Sequence, residues 1–125
     1  MAIEYSFDER ANILIFASSD NISVQERHGA VLRAMRDKSL PTQCDILIDV
    51  SGISEEPLGD DRQLIASLLR LLQERFSGRI AIITGGGAVS HSTVILIVFL
   101  ADSGERSLRS FSSREEALLW LRNIV

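Results

Sequence analysis

Three short apolar runs constrain the fold of this 125-residue chain more than any other feature: ILIFA at residues 13–17, DILIDV at 45–50 and RIAII at 79–83. Runs of this kind are typical of strands that are covered on both faces of a sheet. The segments between them carry apolar residues at helical spacing. Strands that alternate with helices pair in parallel, so the chain is predicted to be an α/β protein.

A further strand is predicted near the N-terminus, where Ile3, Tyr5 and Phe7 alternate with polar residues. Only the turn residues DERAN separate it from residues 13–17, so these two strands are expected to form an antiparallel hairpin. A helix is expected to start at Ser23, which has capping-box spacing to Glu26, and to end near residues 37–39.

Two more helices are predicted from their start signals. One begins at about Asp60 and stops before Gly78, since glycine is typical of helix C-termini. The other opens with the capping box of Ser113 and Glu116, after a short edge strand at residues 106–111. The predicted order is ββαβαβαβα, in a single domain of residues 1–125 with a mixed, mainly parallel β-sheet, an N-terminal β-hairpin and helices packed against it.

The run VILIVFL at residues 94–100 fits either a helix or a strand. A helix is favoured, because the strands on either side of it then pair in parallel. Seven successive apolar residues on a helix leave apolar side chains turned away from the sheet, which is typical of an interface unless the helix is wholly buried. A homodimer face, which is favoured, or the wall of an apolar pocket is therefore predicted from Leu64, Leu68, Leu72, Ile95, Val98 and Phe99.

Composition argues against several classes of function. The net charge is −4 and the 13 basic residues are scattered, so nucleic acid is not expected as a partner. The longest apolar run is far shorter than the roughly 20 residues of a membrane-spanning helix, and the N-terminus has no signal-peptide pattern. The single cysteine, Cys44, is expected in the core, and no metal spacing is present. A soluble, cytoplasmic protein without cofactor or metal is predicted.

Two segments resemble a known family. ILIDVSGIS, at residues 46–54, is similar to the strand and loop of STAS domains, the fold of sulphate transporters and anti-sigma-factor antagonists. RSFSSREEALLWL, at residues 109–121, is similar to the end of the SpoIIAA-like branch of that family. The resemblance implies a STAS-like mixed sheet and, for most relatives, binding to a partner kinase or anti-sigma factor without enzymatic activity. It also implies that some members of the branch bind apolar ligands or lipids.

In that family a serine at a helix N-terminus is the usual phosphoacceptor. Leu58 and Gly59 occupy the corresponding turn here, so the resemblance implies the fold and partner binding without the phosphoserine switch. The polar loop around this turn is read either as a simple strand-to-helix connection or as a surface that binds a protein partner. Four acids in a short span repel phosphate and favour a basic partner. The partner-binding candidates are Ser51, Ser54, Glu55, Glu56, Asp60 and Asp61.

The glycine-rich sequence TGGGA at residues 84–88 follows the next buried strand. Backbone amides that enter a helix can hold an anion, but the lysine of a P-loop is missing and a flexible connection explains the glycines equally well. The candidate anion or ligand loop comprises Gly85, Gly86, Gly87 and His91.

Binding is the function expected from these features. The favoured reading is a non-enzymatic STAS-like regulatory domain that acts through a protein partner, or through itself as a homodimer. The second is a carrier or sensor of a small apolar ligand or lipid, held between sheet and helices. An enzyme that uses His91 and the loop after Asp49 comes third, since no acid adjoins His91 to complete a triad. No catalytic residue is assigned.

Overall fold

The computed structural model of the chain describes residues 5–19, 24–52, 60–85, 93–94 and 108–122. These form an α/β structure with a five-stranded mixed sheet, so the predicted fold class is confirmed. In chain order the elements are β1 (Tyr5–Asp8), β2 (Ile13–Ser19), α1 (Val24–Arg36), β3 (Asp45–Gly52), α2 (Asp60–Arg75), β4 (Ile80–Ile83), β5 (Leu108–Phe111) and α3 (Arg114–Arg122).

The strands lie in the sheet in the order in which they occur in the chain, from β1 to β5. β1 and β2 pair antiparallel, which confirms the predicted hairpin, and the other three pairs are parallel. Between β4 and β5, Thr93 and Val94 are helical and buried. The rest of the helix predicted at residues 94–100 lies outside the described residues.

The hairpin turn depends on local polar contacts. The backbone amide of Ala11 donates to the Asp8 carboxylate at 3.2 Å, and Asn12 has a left-handed conformation with φ of 58°. Asparagine tolerates that region better than most residues. The Asn12 side-chain amide also donates to the Gln43 carbonyl at 2.6 Å, which ties the turn to the chain before β3.

The first face of the sheet carries α1 and α2. Strand side chains that point to this face alternate with those that point to the other, as the period of two requires. They form one apolar core with the helices, whose fully buried members include Leu14, Ile46, Leu72, Ile80 and Leu108. Cys44 is 1% exposed in the same core, which confirms its predicted place, and His28 is half-buried on α1.

The second face carries α3. Its core is smaller and is formed by Ile13, Leu47, Ala81, Ile83, Ala117 and Leu121. α3 contacts β4 and β5, so the helix lies over that side of the sheet. The domain therefore has three layers, with two helices on one face and one on the other. None of the helices in the described part of the chain has the length and apolar character to cross a membrane.

A network of side chains joins α1, α2 and β1. The Arg75 guanidinium donates to the carbonyls of Ala34, Asp37 and Leu40 at 2.9, 2.8 and 3.2 Å, so it satisfies acceptors at the C-terminal end of α1. The Tyr5 hydroxyl donates to the Asp37 carboxylate at 2.7 Å. This network attaches the edge strand β1 to the helical layer.

Candidate functional site

The carboxyl ends of β3, β4 and β5 lie side by side because the three strands are parallel. Asp49 in β3 pairs with Ile83 in β4, which in turn pairs with Phe111 in β5. The residues that follow, on from Val50, Thr84 and Ser112, therefore share one edge of the sheet. Open α/β sheets usually bind ligands outside this edge. Both loops predicted as sites leave from it.

Asp49 holds the chain as it leaves β3. One oxygen of its carboxylate accepts hydrogen bonds from the backbone amide of Ser51 at 2.9 Å and from the Ser51 hydroxyl at 2.6 Å. A carboxylate that accepts two bonds from the residue two positions later forms an Asx-type turn. Ser51 and Gly52 are exposed beyond this turn. Asp49 therefore fixes the position where the acidic loop begins.

Gly85 lies directly against Ser51. A Cβ placed on Gly85 would be 2.7 Å from the Cβ of Ser51 and 3.8 Å from the carbonyl oxygen of Ser112. Gly85 also has a φ of 54°, in the left-handed region that favours glycine. Thus only glycine lets the chain leave β4 so close to the end of β3. The structure brings together one residue from each of the two loops predicted as sites.

The other polar groups at this edge hold the fold. The Thr84 amide and hydroxyl donate to the Phe111 carbonyl at 2.9 and 3.2 Å, and Thr84 is only 2% exposed. The Ser113 hydroxyl accepts from the backbone amide of Glu116 at 3.2 Å, which confirms that Ser113 caps α3. The Glu116 carboxylate accepts from Ser112 at 3.4 Å.

These contacts limit what the edge can do chemically. A hydroxyl nucleophile needs a base that is oriented by a third group. The Asp49 oxygen nearest the Ser51 hydroxyl also accepts the Ser51 amide, which is the geometry of a turn and not of a catalytic pair. What the edge offers is an exposed, sterically defined surface at Ser51, Gly52 and Gly85. Such a surface is suited to contact with another molecule.

The predicted partner-binding residues are only partly described. Ser51 is exposed next to Gly85, and Asp60 is exposed as the first residue of α2. Asp61 is the second residue of that helix. Ser54, Glu55 and Glu56 lie outside the described residues.

In the glycine loop, Gly85 is exposed and is the one residue that the structure describes. Gly86, Gly87 and His91 lie outside that part of the chain, so the anion or ligand loop stays a prediction.

The predicted pocket or dimer face is described for α2 alone. Leu68 and Leu72 are 6% and 1% exposed in the core below α1 and α2, and Leu64 is half-buried. Ile95, Val98 and Phe99 lie outside the described residues. The homodimer expected through this face stays a prediction.

Sequence reasoning did not assign a role to Thr84 or Ser112, and it did not find a second polar surface where Arg79 and Arg109 lie against Trp120. The signal for the latter was weak. Arg109 and Phe111 are two apart in a strand and so share a face, but their contact with α3 is not a sequence pattern.

No three His, Cys, Asp or Glu side chains in the described ranges gather as a metal site would require. No protein-family model matches the chain, and no curated protein matches it. Membership of the STAS family therefore stays a prediction from the two segments that resemble it.

Proposed function

We propose that this chain is a non-enzymatic, STAS-like regulatory domain that binds a basic surface of a protein partner through residues 51–61, the acidic segment. A cytoplasmic location belongs to the same proposal. The observation that carries it is the close contact of Ser51 with Gly85, which supports the start of the acidic segment against the neighbouring strand end.

Charge is concentrated in this segment. It contains four of the 17 acidic residues of the chain and none of the 13 basic ones, so its charge equals the net charge of −4 of the whole chain. The remainder of the chain is balanced. A field of one sign at one end of a domain steers the approach of an oppositely charged partner. The segment therefore favours a basic protein surface over a phosphate-bearing ligand.

Both ends of the acidic segment are supported by regular structure. At its start, Asp49 and Gly85 position Ser51, and at its end Asp60 begins the 16-residue helix α2. A carboxylate at the first turn of a helix is also stabilised by the helix dipole. Defined ends lower the ordering cost when a loop binds a partner, since fewer residues lose freedom on association.

The test is affinity capture from a lysate of the source organism with a matched pair of variants. The segment variant is E55Q/E56Q/D60N, and the control is E9Q/E74Q/E115Q, which neutralises three exposed acids elsewhere. We expect at least one protein to be retained by the wild type and by the control, but about tenfold less by the segment variant. Reversed recovery experiments with that purified protein should give the same order of affinity.

Equal retention by all three proteins would refute the proposal. Native mass spectrometry of the purified wild type distinguishes the carrier expected as the alternative. A mass excess that equals one lipid or other apolar molecule, lost on denaturation, would favour the carrier over the partner-binding domain.

A further inference from the structure

Two arginines and two aromatic rings form a second surface, the basic–aromatic platform, which comprises Arg79, Arg109, Phe111 and Trp120. The guanidinium carbons of Arg79 and Arg109 lie 5.1 and 5.8 Å from the centre of the Trp120 ring. Arg109 is also 5.8 Å from the centre of the Phe111 ring, and the two rings are 5.5 Å apart. Cations at these distances are attracted by the rings.

The two arginines have different roles in the platform. Arg79 is half-buried and donates to the Trp120 carbonyl at 2.9 Å, so it attaches the end of α3 to the start of β4. Arg109 is exposed on the edge strand β5. The rings position its guanidinium, whose planar set of N–H donors matches a carboxylate. Arg109 is therefore the group of the platform that is available to an acidic ligand.

The platform and the acidic segment lie at opposite ends of the molecule. Arg79 directly precedes β4, and Trp120 lies near the end of α3, which starts after the carboxyl end of β5 and returns along the second face. The platform is therefore on the second face, toward the amino edge of the strands. The acidic segment leaves the carboxyl edge and leads into α2 on the first face. The two surfaces cannot meet within one molecule.

We propose that the platform binds the acidic segment of a second copy of this chain, with Arg109 as the main contact. This inference rests on the proposed function of the acidic segment as a surface for a basic protein partner. Since each copy contributes a different surface, the contact is head-to-tail and does not close after two copies. Exposed ion pairs are screened by salt, so the association should be weak and should fall as ionic strength rises.

Sedimentation of the full-length chain tests this. At low salt, the weight-average mass of the wild type should rise with concentration to at least twice the monomer mass, and it should return to the monomer at about 0.5 M salt, where the screening length is only a few Å. Arg109→Glu should abolish the rise. Arg10→Glu, the same charge change at an exposed turn of β1 and β2, should leave it unchanged.

A mixing experiment separates head-to-tail contact from a general charge effect. The segment variant E55K/E56K/D60K and Arg109→Glu should each be monomeric alone. Mixed in equal amounts, they should form a dimer that grows no further, because only one complementary pair of surfaces remains. Circular dichroism and urea midpoints near those of the wild type establish that both variants are folded.

A wild type that stays monomeric at millimolar concentration and low salt would overturn the inference. So would self-association that Arg109→Glu leaves unchanged, including a closed dimer through another face, or a mixture of the two variants that stays monomeric. These outcomes leave the proposed function intact, because the affinity capture depends on the acidic segment and not on Arg109.

Discussion

Replacing Gly85 by alanine tests whether the close contact at the carboxyl edge is as tight as the structure shows. Two costs add. A residue with a Cβ in the left-handed region costs about 1–2 kcal/mol relative to glycine. The new Cβ would lie 2.7 Å from the Cβ of Ser51, so one strand end must shift, at a cost of about 1–2 kcal/mol by comparison with overpacked sites. Together the Gly85→Ala variant should lose about 2–4 kcal/mol of unfolding free energy.

The matched control is Gly29→Ala. Gly29 lies within α1, and a Cβ there would meet its nearest atom, in the Arg33 guanidinium, at 3.6 Å, an ordinary contact distance. Alanine is favoured over glycine inside a helix by about 0.5–1 kcal/mol. The same chemical change should therefore stabilise the protein at position 29 and destabilise it at position 85.

Urea unfolding at 25 °C, followed by circular dichroism, measures both variants, and a double-mutant cycle with Ser51→Gly isolates the steric term. Removing the Ser51 Cβ should recover about 1–2 kcal/mol in the Gly85→Ala background beyond its own effect, while the backbone cost remains. Gly85→Ala within about 0.5 kcal/mol of the wild type would refute the reasoning, because ordinary surface substitutions fall in that range. A coupling free energy near zero would refute the contact itself.

Two further predictions concern titratable groups. Hydrogen bonds from Ser39 first, and then from Tyr5, hold the pKa of Asp37 below its usual value, so the stability it contributes is present above about pH 4 and is lost as pH falls through the lowered pKa. The urea midpoint of the wild type should therefore exceed that of Asp37→Asn at pH 7 but converge with it near pH 2, and an undiminished gap would contradict this. Burial raises the pKa of the Cys44 thiol, so a thiol reagent at pH 8 should label it only as fast as the protein unfolds, whereas immediate labelling would show that the thiol is accessible.

The predicted elements that the structure confirms are those whose signals are local. DILIDV and RIAII are strands because their apolar side chains are covered on both faces, and α2 starts at Asp60 as expected. The ends of strands were harder to predict. β3 continues to Gly52, and Gly52 pairs with Ser19 after an irregularity in the register. Polar residues extend the strand because a neighbouring strand accepts their hydrogen bonds, which apolar periodicity does not report.

Gly78 shows why a correct residue can be expected for the wrong reason. It was expected as the glycine that stops α2, but α2 ends at Arg75 and Gly78 is not among the described residues with a positive φ. Instead, a Cβ on Gly78 would collide with the Cys44 carbonyl oxygen. That close approach lets the Arg79 amide donate to the Asp45 carboxylate at 2.9 Å. The contact joins residues far apart in sequence, so no local pattern contains it.

The site follows the same division. That Ser51 and Gly85 share an edge could be predicted, because parallel strands end together. That they touch could not, since the contact depends on the register of β3 against β4. Arg109 was missed because its importance comes from Trp120, which belongs to a helix on the second face.

The polarity of the sheet limits where a partner can bind. α3 lies over β4 and β5, and the second face at the β1 side is left to short or polar side chains. Ser6, Asp8 and Ala17 are exposed there. Stable interfaces need a well-packed apolar centre, which these side chains do not provide. Association through the described residues should therefore use the ends of the sheet, where charge is concentrated, and should respond to salt more than to the loss of any one apolar side chain.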